Sequence, residues 1–528
     1  MKRRKFLTAA GASIALPSLI NGFNFKAFGQ SKWMSMLTAS QVNTDKVLVI
    51  INLNGGNDGL NTVLPIDQYD TLAAARPNMI LPESSILSLN GSSATGLHPA
   101  MTALQSMYNE NKLGIIQSVG YPDLNFSHFR ATDIWASGSD SNQVVSTGII
   151  GRFLDHAYPG YPIDYPNETM PDPLAVQIGT GLPLLFQGAN TNNAMTISGE
   201  EIFQEWQTPT GTETPDSYAG IELAYIRTVI AQTEVYADQI LAAYNSITTQ
   251  YSDYPAAGSN RLADQLKIVA RLVAGGLKTR VYLVSLGGFD NHADQVDAAD
   301  TTTGTHANLL SQLSEAIHAF QSDLEFLNIN ERVMGMTFSE FGRRIKSNGS
   351  LGTDHGAAAP LFLFGTQVSP GIMGDNPIIP TSVSENDNLP MQYDFRTVYA
   401  SILKDWFCVD ESGLMDIMLQ EFPAYNVCNG DCTTIGINSA IAPSALSIKP
   451  YSNPFTNSLS LAYSAPNGKV LIQLFDCNGK IMDTLVNQVI SGGSYTISMD
   501  TQHYPAGNYY AQLRWGSQQK SVLVMKVK

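Results

Sequence analysis

Aspartate and histidine residues that could bind metal follow three hydrophobic runs of this sequence. They are Asp58, Asp290, His292, Asp354 and His355. Carboxylate and imidazole groups are common ligands of divalent ions, and glycines beside them let the backbone turn closely. Each residue alone would equally fit a turn in which aspartate accepts a backbone hydrogen bond. Because the pattern occurs three times in a chain with 8 histidines, it favours a site for one or two divalent ions.

A second group that could do chemistry is the segment from Asn125 to Arg130, which leads into a helical pattern through Trp135. Ser127 would stand at the helix start, where serine usually caps the helix. A nearby metal and the helix dipole could instead make its hydroxyl a nucleophile, so both roles stay open. His98 also opens a helical pattern, and it would be either a pocket residue or a cap partner.

Buried strands alternating with helices would position these residues. Near-continuous apolar runs predict strands buried on both faces, and periodic segments between them predict helices. The strand segments are 47–53, 113–119, 280–286, 333–338 and 361–364, and the helical segments are 221–244, 261–275 and 307–327. This alternation predicts an α/β domain over 45–430, with a mostly parallel sheet flanked by helices. Ligands of such sheets bind beyond the carboxyl ends of the strands.

The pattern changes near residue 435, where helical periodicity stops. Short alternating segments separated by Gly, Pro and Asn turns follow, and they predict a small all-β sandwich over 449–528. Residues 431–448 would be the linker. Cys428 and Cys432 flank a tight-turn sequence, so we expect a local disulfide between them.

Several motifs together resemble the domain-of-unknown-function 1501 family. They are the segments 54–61, 97–100, 127–130, 288–292, 338–343, 353–356 and 394–399. That family is similar in sequence to the alkaline phosphatase and sulfatase superfamily, whose members carry a two-metal site above a parallel sheet. The resemblance therefore implies an alkaline phosphatase-like fold over this domain.

The resemblance also implies roles for individual residues. Asp58 corresponds to the metal-binding aspartate of the first strand, and Asp354 with His355 to a paired Asp-His ligand set. Asp290 and His292 would serve the other ion. The further residues are assigned as follows: Ser127 with His128 in catalysis, Arg130 or Arg343 to steady the anion, Glu340 or His98 to complete the second ion site, and Asn57 as an additional pocket residue. The ions would be zinc first, with calcium, magnesium or manganese as alternatives.

Both chain ends indicate export. Residues 1–33 contain six basic residues and no acid, and the Arg3–Leu7 run resembles a twin-arginine signal; an ordinary secretory signal is the alternative. Segments within 452–510 resemble the type IX secretion C-terminal sorting domain, although alternation alone would also fit a carbohydrate-binding or adhesive module. The expected partners are the twin-arginine translocase and the type IX secretion system. The protein would pass through the periplasm and then be secreted or attached to the cell surface.

Charge excludes one class of partner. Of the 46 acidic and 30 basic residues, 43 acidic and 17 basic ones lie in 34–440, which gives that segment a net charge of −26. Nucleic-acid binding requires a basic face, so we exclude it. No apolar stretch is long enough to predict a transmembrane segment in the mature protein.

Two functions remain open from the sequence. The first is a metal-dependent hydrolase acting on phosphate or sulfate esters of a small molecule or glycan. The second is a noncatalytic cell-surface binding protein that retains the hydrolase fold.

Overall fold

The computed structural model describes residues 18–20, 23–25, 45–162, 165–179, 183–197, 235–251, 253–430, 432, 447–450, 455–465, 467–476, 480–490, 493–516 and 518–527. The twin-arginine segment and the first part of the predicted helix, 221–234, lie outside these residues. The chain forms two compact units, Met1–Gly430 and Asp431–Lys528.

The first unit is an α/β unit. After a short antiparallel pair, Ser18–Ile20 with Phe23–Phe25, its strands over the described residues are β1 (Val47–Asn54), β2 (Val63–Pro65), β3 (Leu87–Leu89), β4 (Ser92–Leu97), β5 (Leu113–Gly120), β6 (Ala175–Ile178), β7 (Ala194–Ile197), β8 (Val281–Gly287), β9 (Val333–Phe338), β10 (Ala359–Phe364), β11 (Gly371–Met373) and β12 (Tyr393–Asp394). Strands β2, β4 and β3 form a small antiparallel sheet in that order.

The helices of this unit alternate with the strands. They are α1 (Tyr69–Ala75), α2 (Thr102–Asn109), α3 (His128–Ser137), α4 (Ile149–Ala157), α5 (Arg261–Ala274), α6 (Thr305–Phe326), α7 (Phe395–Asp405) and α8 (Glu411–Met418), with a further helical segment at 235–246. Single-turn 3₁₀ helices lie at Gly59–Asn61, Ile66–Gln68, Glu83–Ser85, Pro183–Phe186 and Asn330–Arg332.

The main sheet contains nine strands of the described chain in the order β11-β5-β10-β9-β1-β8-β6-β7, and β12 pairs with β5. Its pairs are parallel except those that β10 makes with β9 and β5. The predicted fold class, a mostly parallel sheet flanked by helices, is therefore confirmed. The antiparallel direction of β10 was not predicted, because apolar runs carry no information on strand direction.

Both faces of the sheet are buried, as β1 illustrates. Val47, Val49 and Ile51 pack into one hydrophobic cluster with residues of α5 and α6. Leu48 and Ile50 point to the opposite face and pack with residues of α4 and α7. Alternate residues of a strand face opposite sides, so a run that is apolar at every position is the one that suits a sheet covered on both faces.

Strand direction brings several loops to one edge of this sheet. Strands β1, β8 and β9 are parallel neighbours, so Asn54, Gly287 and Phe338 end at the same edge. Because β10 runs the other way, its amino end and the preceding segment 353–356 reach this edge as well. Strand β5 is antiparallel to β10, so its carboxyl end, which leads into α3, also lies there.

The second unit is all-β. Over its described residues the strands are β13 (Ser447–Pro450), β14 (Ser458–Ala465), β15 (Gly468–Asp476), β16 (Ile481–Ile490), β17 (Gly493–Asp500), β18 (Gly507–Trp515) and β19 (Gln518–Lys526). Antiparallel sheets β13-β14-β17 and β16-β15-β18-β19 share one hydrophobic cluster. Strand β13 begins at Ser447, so it includes the last two residues of the predicted linker 431–448. Apart from Cys432, the earlier part of that linker is outside the described chain.

The cysteines differ from the expectation. Cys408 and Cys432 are disulfide-bonded, whereas Cys428 is a free, buried thiol. The predicted bridge between Cys428 and Cys432 is therefore wrong, because short sequence spacing does not determine which way each side chain points. Over the described residues, no helix is both long and apolar enough to cross a membrane.

Candidate metal centre

The loop after β8 places Asp290 at the centre of a histidine cluster. Its Oδ1 atom lies 3.1 Å from His292 Nε2 and 3.2 Å from His355 Nε2, and these two nitrogens are 2.9 Å apart. Its Oδ2 atom lies 3.4 Å from His128 Nε2. We call these four residues, His128, Asp290, His292 and His355, the Asp290 cluster.

The second ring nitrogen of each histidine is held by an oxygen acceptor. The pairs are His128 Nδ1 with Glu340 Oε1 at 2.8 Å, His292 Nδ1 with Asp354 Oδ1 at 2.9 Å, and His355 Nδ1 with the Phe126 carbonyl oxygen at 2.8 Å. In a neutral imidazole one nitrogen donates and the other carries a lone pair. Donation from Nδ1 therefore leaves the lone pair on Nε2, and a carboxylate or carbonyl behind Nδ1 is the usual support of a metal-bound histidine.

These tautomers make the cluster a place for a cation. Two lone pairs facing each other at 2.9 Å, as in His292 and His355, repel unless a proton or a metal ion lies between them. His128 Nε2 is buried and has no hydrogen-bond partner among the described residues. Ligands of tetrahedral zinc at about 2.0–2.1 Å are roughly 3.3 Å apart, which is close to the spacing here. The donor set therefore fits a metal ion.

His128, Asp290 and His355 each offer a ligand atom that lies within 4.8 Å of those of the other two. The side chains of Asp290 and His292 are 49% and 44% exposed, so the cluster is open on one side to solvent. An ion held there would be accessible to a substrate.

Charge at the cluster favours metal binding at neutral pH. Partial burial would raise the pKa of Asp290, but the hydrogen bond and the positive charge of Arg343 lower it to about 2. Burial lowers the pKa of His355, and the hydrogen bond to the Phe126 carbonyl opposes this only in part. The carboxylate is thus ionised and the His355 imidazole neutral, the forms that bind metals.

Arg343 holds the loops of the site together. It is 1% exposed, and its guanidinium donates to the carbonyl oxygens of Gly55, Gly56, Phe289 and Thr353 and to Asp290 Oδ1 at 2.8 Å. These hydrogen bonds engage its donors within the protein and hold Asp290 in place. The expected role of Arg343 toward a substrate anion stays a prediction.

Gly55 is required where β1 ends. Its φ is +124°, and a Cβ atom there would lie 2.4 Å from the Asp290 backbone nitrogen. Its N–H donates to Glu340 Oε1 at 2.8 Å, the atom that also holds His128. Because Gly55 has no side chain, the end of the first strand can pack against the Asp290 backbone and also hold Glu340, which supports His128.

Asp58 does not join the Asp290 cluster. It is 2% exposed, and its two carboxylate oxygens accept hydrogen bonds from the Arg76 guanidinium at 2.7 and 3.0 Å and from Gln295 at 2.6 Å. Burial alone would raise the pKa of Asp58, but Arg76 lowers it below the ordinary value. The Arg76 guanidinium thus occupies both carboxylate oxygens of Asp58, and a metal-binding role of Asp58 stays a prediction.

Replacing Arg76 with methionine should lower the free energy of unfolding by about 3–5 kcal/mol, because it leaves the buried Asp58 carboxylate without its cation. The Arg76 guanidinium also donates to the carbonyl oxygens of Arg344 and Ile345, and these would lose their donor. Urea unfolding measures the change. The control is Lys404→Met, which removes an exposed ion pair with Glu411 and should cost less than about 1 kcal/mol. Equal small losses for the two variants would refute the structural role of this pair.

His98 and Asn57 belong to a neighbouring buried group. Asn57 Oδ1 lies 3.0 Å from His306 Nε2, and the rings of His98 and His306 are 6.2 Å apart. Burial lowers the pKa of His98 to about 3 and that of His306 to about 4, so both are neutral at pH 7. No hydrogen bond of this group within the described chain reaches the Asp290 cluster, so His98 and Asn57 do not complete it.

Asp354 and Glu340 lie behind the ligands. Each accepts the Nδ1 hydrogen of a histidine, so the structure places Asp354 as a support for His292 rather than as a ligand. Glu340 is 1% exposed and supports His128. Neither carboxylate completes a second ion site, in contrast to the expectation for Glu340.

Ser127 lies between Phe126, whose carbonyl oxygen contacts His355, and His128, which belongs to the Asp290 cluster. Ser127 is exposed and is the N-cap residue of α3, yet its side chain makes no capping hydrogen bond. Its hydroxyl is therefore available for another role. Arg130, in contrast, donates to Ser139 Oγ and to backbone carbonyls of the 140–143 loop, so its assignment to the substrate anion stays a prediction.

Arg76 and Gln295 were not predicted from the sequence. They interact with residues far away in the chain, and neither stands in a motif. From the sequence, His128 was assigned to catalysis rather than to metal binding. Its position after the carboxyl end of β5, however, matches the strand-end placement on which the other candidate ligands were chosen.

Comparison with known proteins agrees with this architecture. Residues 239–409 match a family described as protein of unknown function (DUF1501), and residues 449–526 match the secretion system C-terminal sorting domain. No curated protein matches the chain. The second match indicates secretion to the cell surface and implies the secretion system as a partner.

Solved structures that are similar to this chain include the following three. A protein of the alkaline phosphatase superfamily from Vibrio parahaemolyticus has 10% identity and a TM-score of 0.33, with 85% of this chain and 83% of that chain covered. Alkaline phosphatase from the Antarctic bacterium TAB5 has 11% identity and a TM-score of 0.27, with 62% and 94% covered. A sulfatase from Pseudoalteromonas sp. has 9% identity and a TM-score of 0.34, with 87% and 85% covered. Likeness at these identities concerns the fold alone.

Proposed function

We propose that this protein is an exported, metal-dependent hydrolase of phosphate or sulfate esters. The observation that carries the proposal is the arrangement of three histidine Nε2 atoms around Asp290, each with its Nδ1 atom held by an acceptor. Such a set fits a single ion on the solvent-accessible side of the sheet edge. We do not propose the two-metal arrangement implied by the resemblance, because the Arg76 guanidinium binds both carboxylate oxygens of Asp58.

Zinc is the ion that this donor set favours. Imidazole and carboxylate in tetrahedral spacing suit zinc, whereas calcium and magnesium prefer oxygen ligands in larger number. His128, His292, His355 and Asp290 would hold it. When bound, the ion would supply Lewis-acid polarisation of a phosphoryl or sulfuryl oxygen.

Ser127 is the proposed nucleophile. Its Oγ atom would form a bond to phosphorus or sulfur while the bond to the ester oxygen breaks. The serine proton passes to solvent, and the departing alkoxide takes a proton from water to leave as the alcohol. A water molecule then cleaves the serine ester, which releases phosphate or sulfate and restores the hydroxyl. The N-terminal end of α3, where Ser127 stands, favours the negative charge that develops.

One observation favours the alternative, a noncatalytic surface binding protein. Arg130 and Arg343, the arginines expected to hold the anion, donate within the protein. A substrate anion would then depend on the ion and on the start of α3.

The test uses the exported protein loaded with zinc and then dialysed. Metal content is measured first, and hydrolysis is then assayed on an aryl phosphate, a phosphodiester and an aryl sulfate. Turnover that disappears with a chelator and returns with zinc supports the hydrolase. Bound zinc without turnover of any of these esters would favour the binding protein.

Export through the two chain ends gives a separate prediction. Deleting 441–528 should leave a folded protein in the periplasm, with its metal content unchanged, because the second unit has its own sheets and core. Cell fractionation and metal analysis measure the result, and substitution of Arg3 and Arg4 by lysine should instead retain the chain in the cytoplasm. A truncated protein that still reaches the cell surface would contradict the sorting role.

A further inference from the structure

We propose that a cleft beside the Asp290 cluster binds a second anionic group of the substrate through Arg261. This inference rests on the proposed ester hydrolysis and names its substrate class: esters that carry another negative charge beyond the bond to be cleaved. The cleft has a volume of about 870 Å³.

The cleft lies at the sheet edge from which the loop to Asp290 departs. Asn54 and Gly287, the paired last residues of β1 and β8, line it, and Asp290 follows Gly287 by three residues. At about 3.3 Å per residue that distance is roughly 10 Å or less. A Cβ atom at Gly288 would lie 3.4 Å from the side chain of Leu309, another cleft residue, so the chain runs past the cleft wall on its way to Asp290. A ligand of moderate length could therefore reach both.

Arg261 is the one cation among the described residues that line the cleft. It is exposed, and its guanidinium has no hydrogen-bond or ion-pair partner in the described part of the chain. It is also the first residue of α5, where the helix dipole disfavours a positive charge. Neither an ion pair nor the helix dipole accounts for an arginine at position 261, whereas binding of an anionic ligand would account for it.

The other polar groups of the cleft are compatible with such a ligand. The side chains of Asn54 and Gln312 make no hydrogen bonds within the described residues, so both amides can bind hydroxyl or ester oxygens. Asp264 also lines the cleft, but its Oδ2 atom accepts the Gly258 N–H at 3.0 Å. The guanidinium groups of Arg343 and Arg130 donate hydrogen bonds within the protein. Arg261 would therefore supply the arginine contact to a substrate anion.

A pair of stable phosphonates tests the inference without turnover. One is a straight-chain bisphosphonate, used in several chain lengths, and the other is the monophosphonate of the same chain length. Calorimetry on the zinc-loaded protein should show the bisphosphonate binding about 10-fold more tightly, as expected for one charge-assisted contact. Arg261→Gln should abolish this preference.

The control is Lys278→Gln, which removes the same charge before β8 begins, at the opposite edge of the sheet, and should keep the preference. Equal affinity of the wild type for both phosphonates, or a preference that survives Arg261→Gln, overturns the inference. If the protein hydrolyses esters but shows no preference between the phosphonates, only the role of the cleft is refuted. If it shows an Arg261-dependent preference but no turnover, only the proposed hydrolase activity is refuted.

Discussion

Replacing Asp290 with alanine should lower zinc affinity by more than about 100-fold and abolish metal-dependent ester hydrolysis. Its carboxylate is within 3.1–3.4 Å of the Nε2 atoms of all three histidines, so it supplies the negative charge of the donor set. Outer residues that only orient a ligand typically cost 10–100-fold, and a direct ligand should cost more. Zinc titration against a chromophoric chelator measures the affinity.

Asp354→Asn is the matched control for this prediction. It changes a carboxylate that supports His292 without contacting the ion, so zinc affinity should fall by about 10–100-fold. The two variants together separate a ligand from its support. If Asp290→Ala bound zinc as tightly as Asp354→Asn, Asp290 would not be a ligand. Because Asp290 also accepts from Arg343, Asp290→Asn provides a variant of nearly the same shape that keeps an oxygen for this contact.

Replacing Ser127 with alanine should reduce turnover on the order of 10⁴-fold or more, as removal of a nucleophile does in other hydrolases. Zinc content should stay unchanged, because the hydroxyl is not part of the proposed donor set. Stability should change by less than the ~1 kcal/mol of a typical cap, since this side chain makes no capping bond. Steady-state kinetics, metal analysis and urea unfolding provide the three readouts.

Ser412→Ala is the control, because Ser412 is an exposed serine in the first turn of α8. Its turnover should equal that of the wild type. Full activity of Ser127→Ala would remove Ser127 from the mechanism while leaving the metal centre in place. Loss of zinc in the same variant would show that the segment supports the cluster rather than attacks the ester.

Much of the fold followed from local patterns. Continuous apolar runs such as 47–53 indicated strands buried on both faces, and β1 shows this burial from Val47 to Leu53. The direction of β10 did not follow, since hydrophobicity is the same whichever way a strand runs. Strand β16 carries a weaker sequence signal, because Ile481–Ile490 alternates weakly and exposes most of its residues.

The site was only partly predictable for a related reason. The strand-end rule brought Asp290, His292 and His355 together, because each follows a strand that the sequence reveals. It could not show that Asp58 pairs with Arg76, since nothing local marks which buried carboxylate receives a guanidinium. The supporting role of Asp354 likewise depends on the ring orientation of His292, which only the three-dimensional contacts determine.

The most direct test of the central claim is X-ray absorption spectroscopy of the zinc-loaded protein, together with metal quantification. The proposed centre predicts one zinc ion per chain, with three imidazole nitrogens and one carboxylate oxygen at about 2.0–2.2 Å. A chain that retains no zinc after dialysis, or a zinc ion without imidazole ligands, would contradict it.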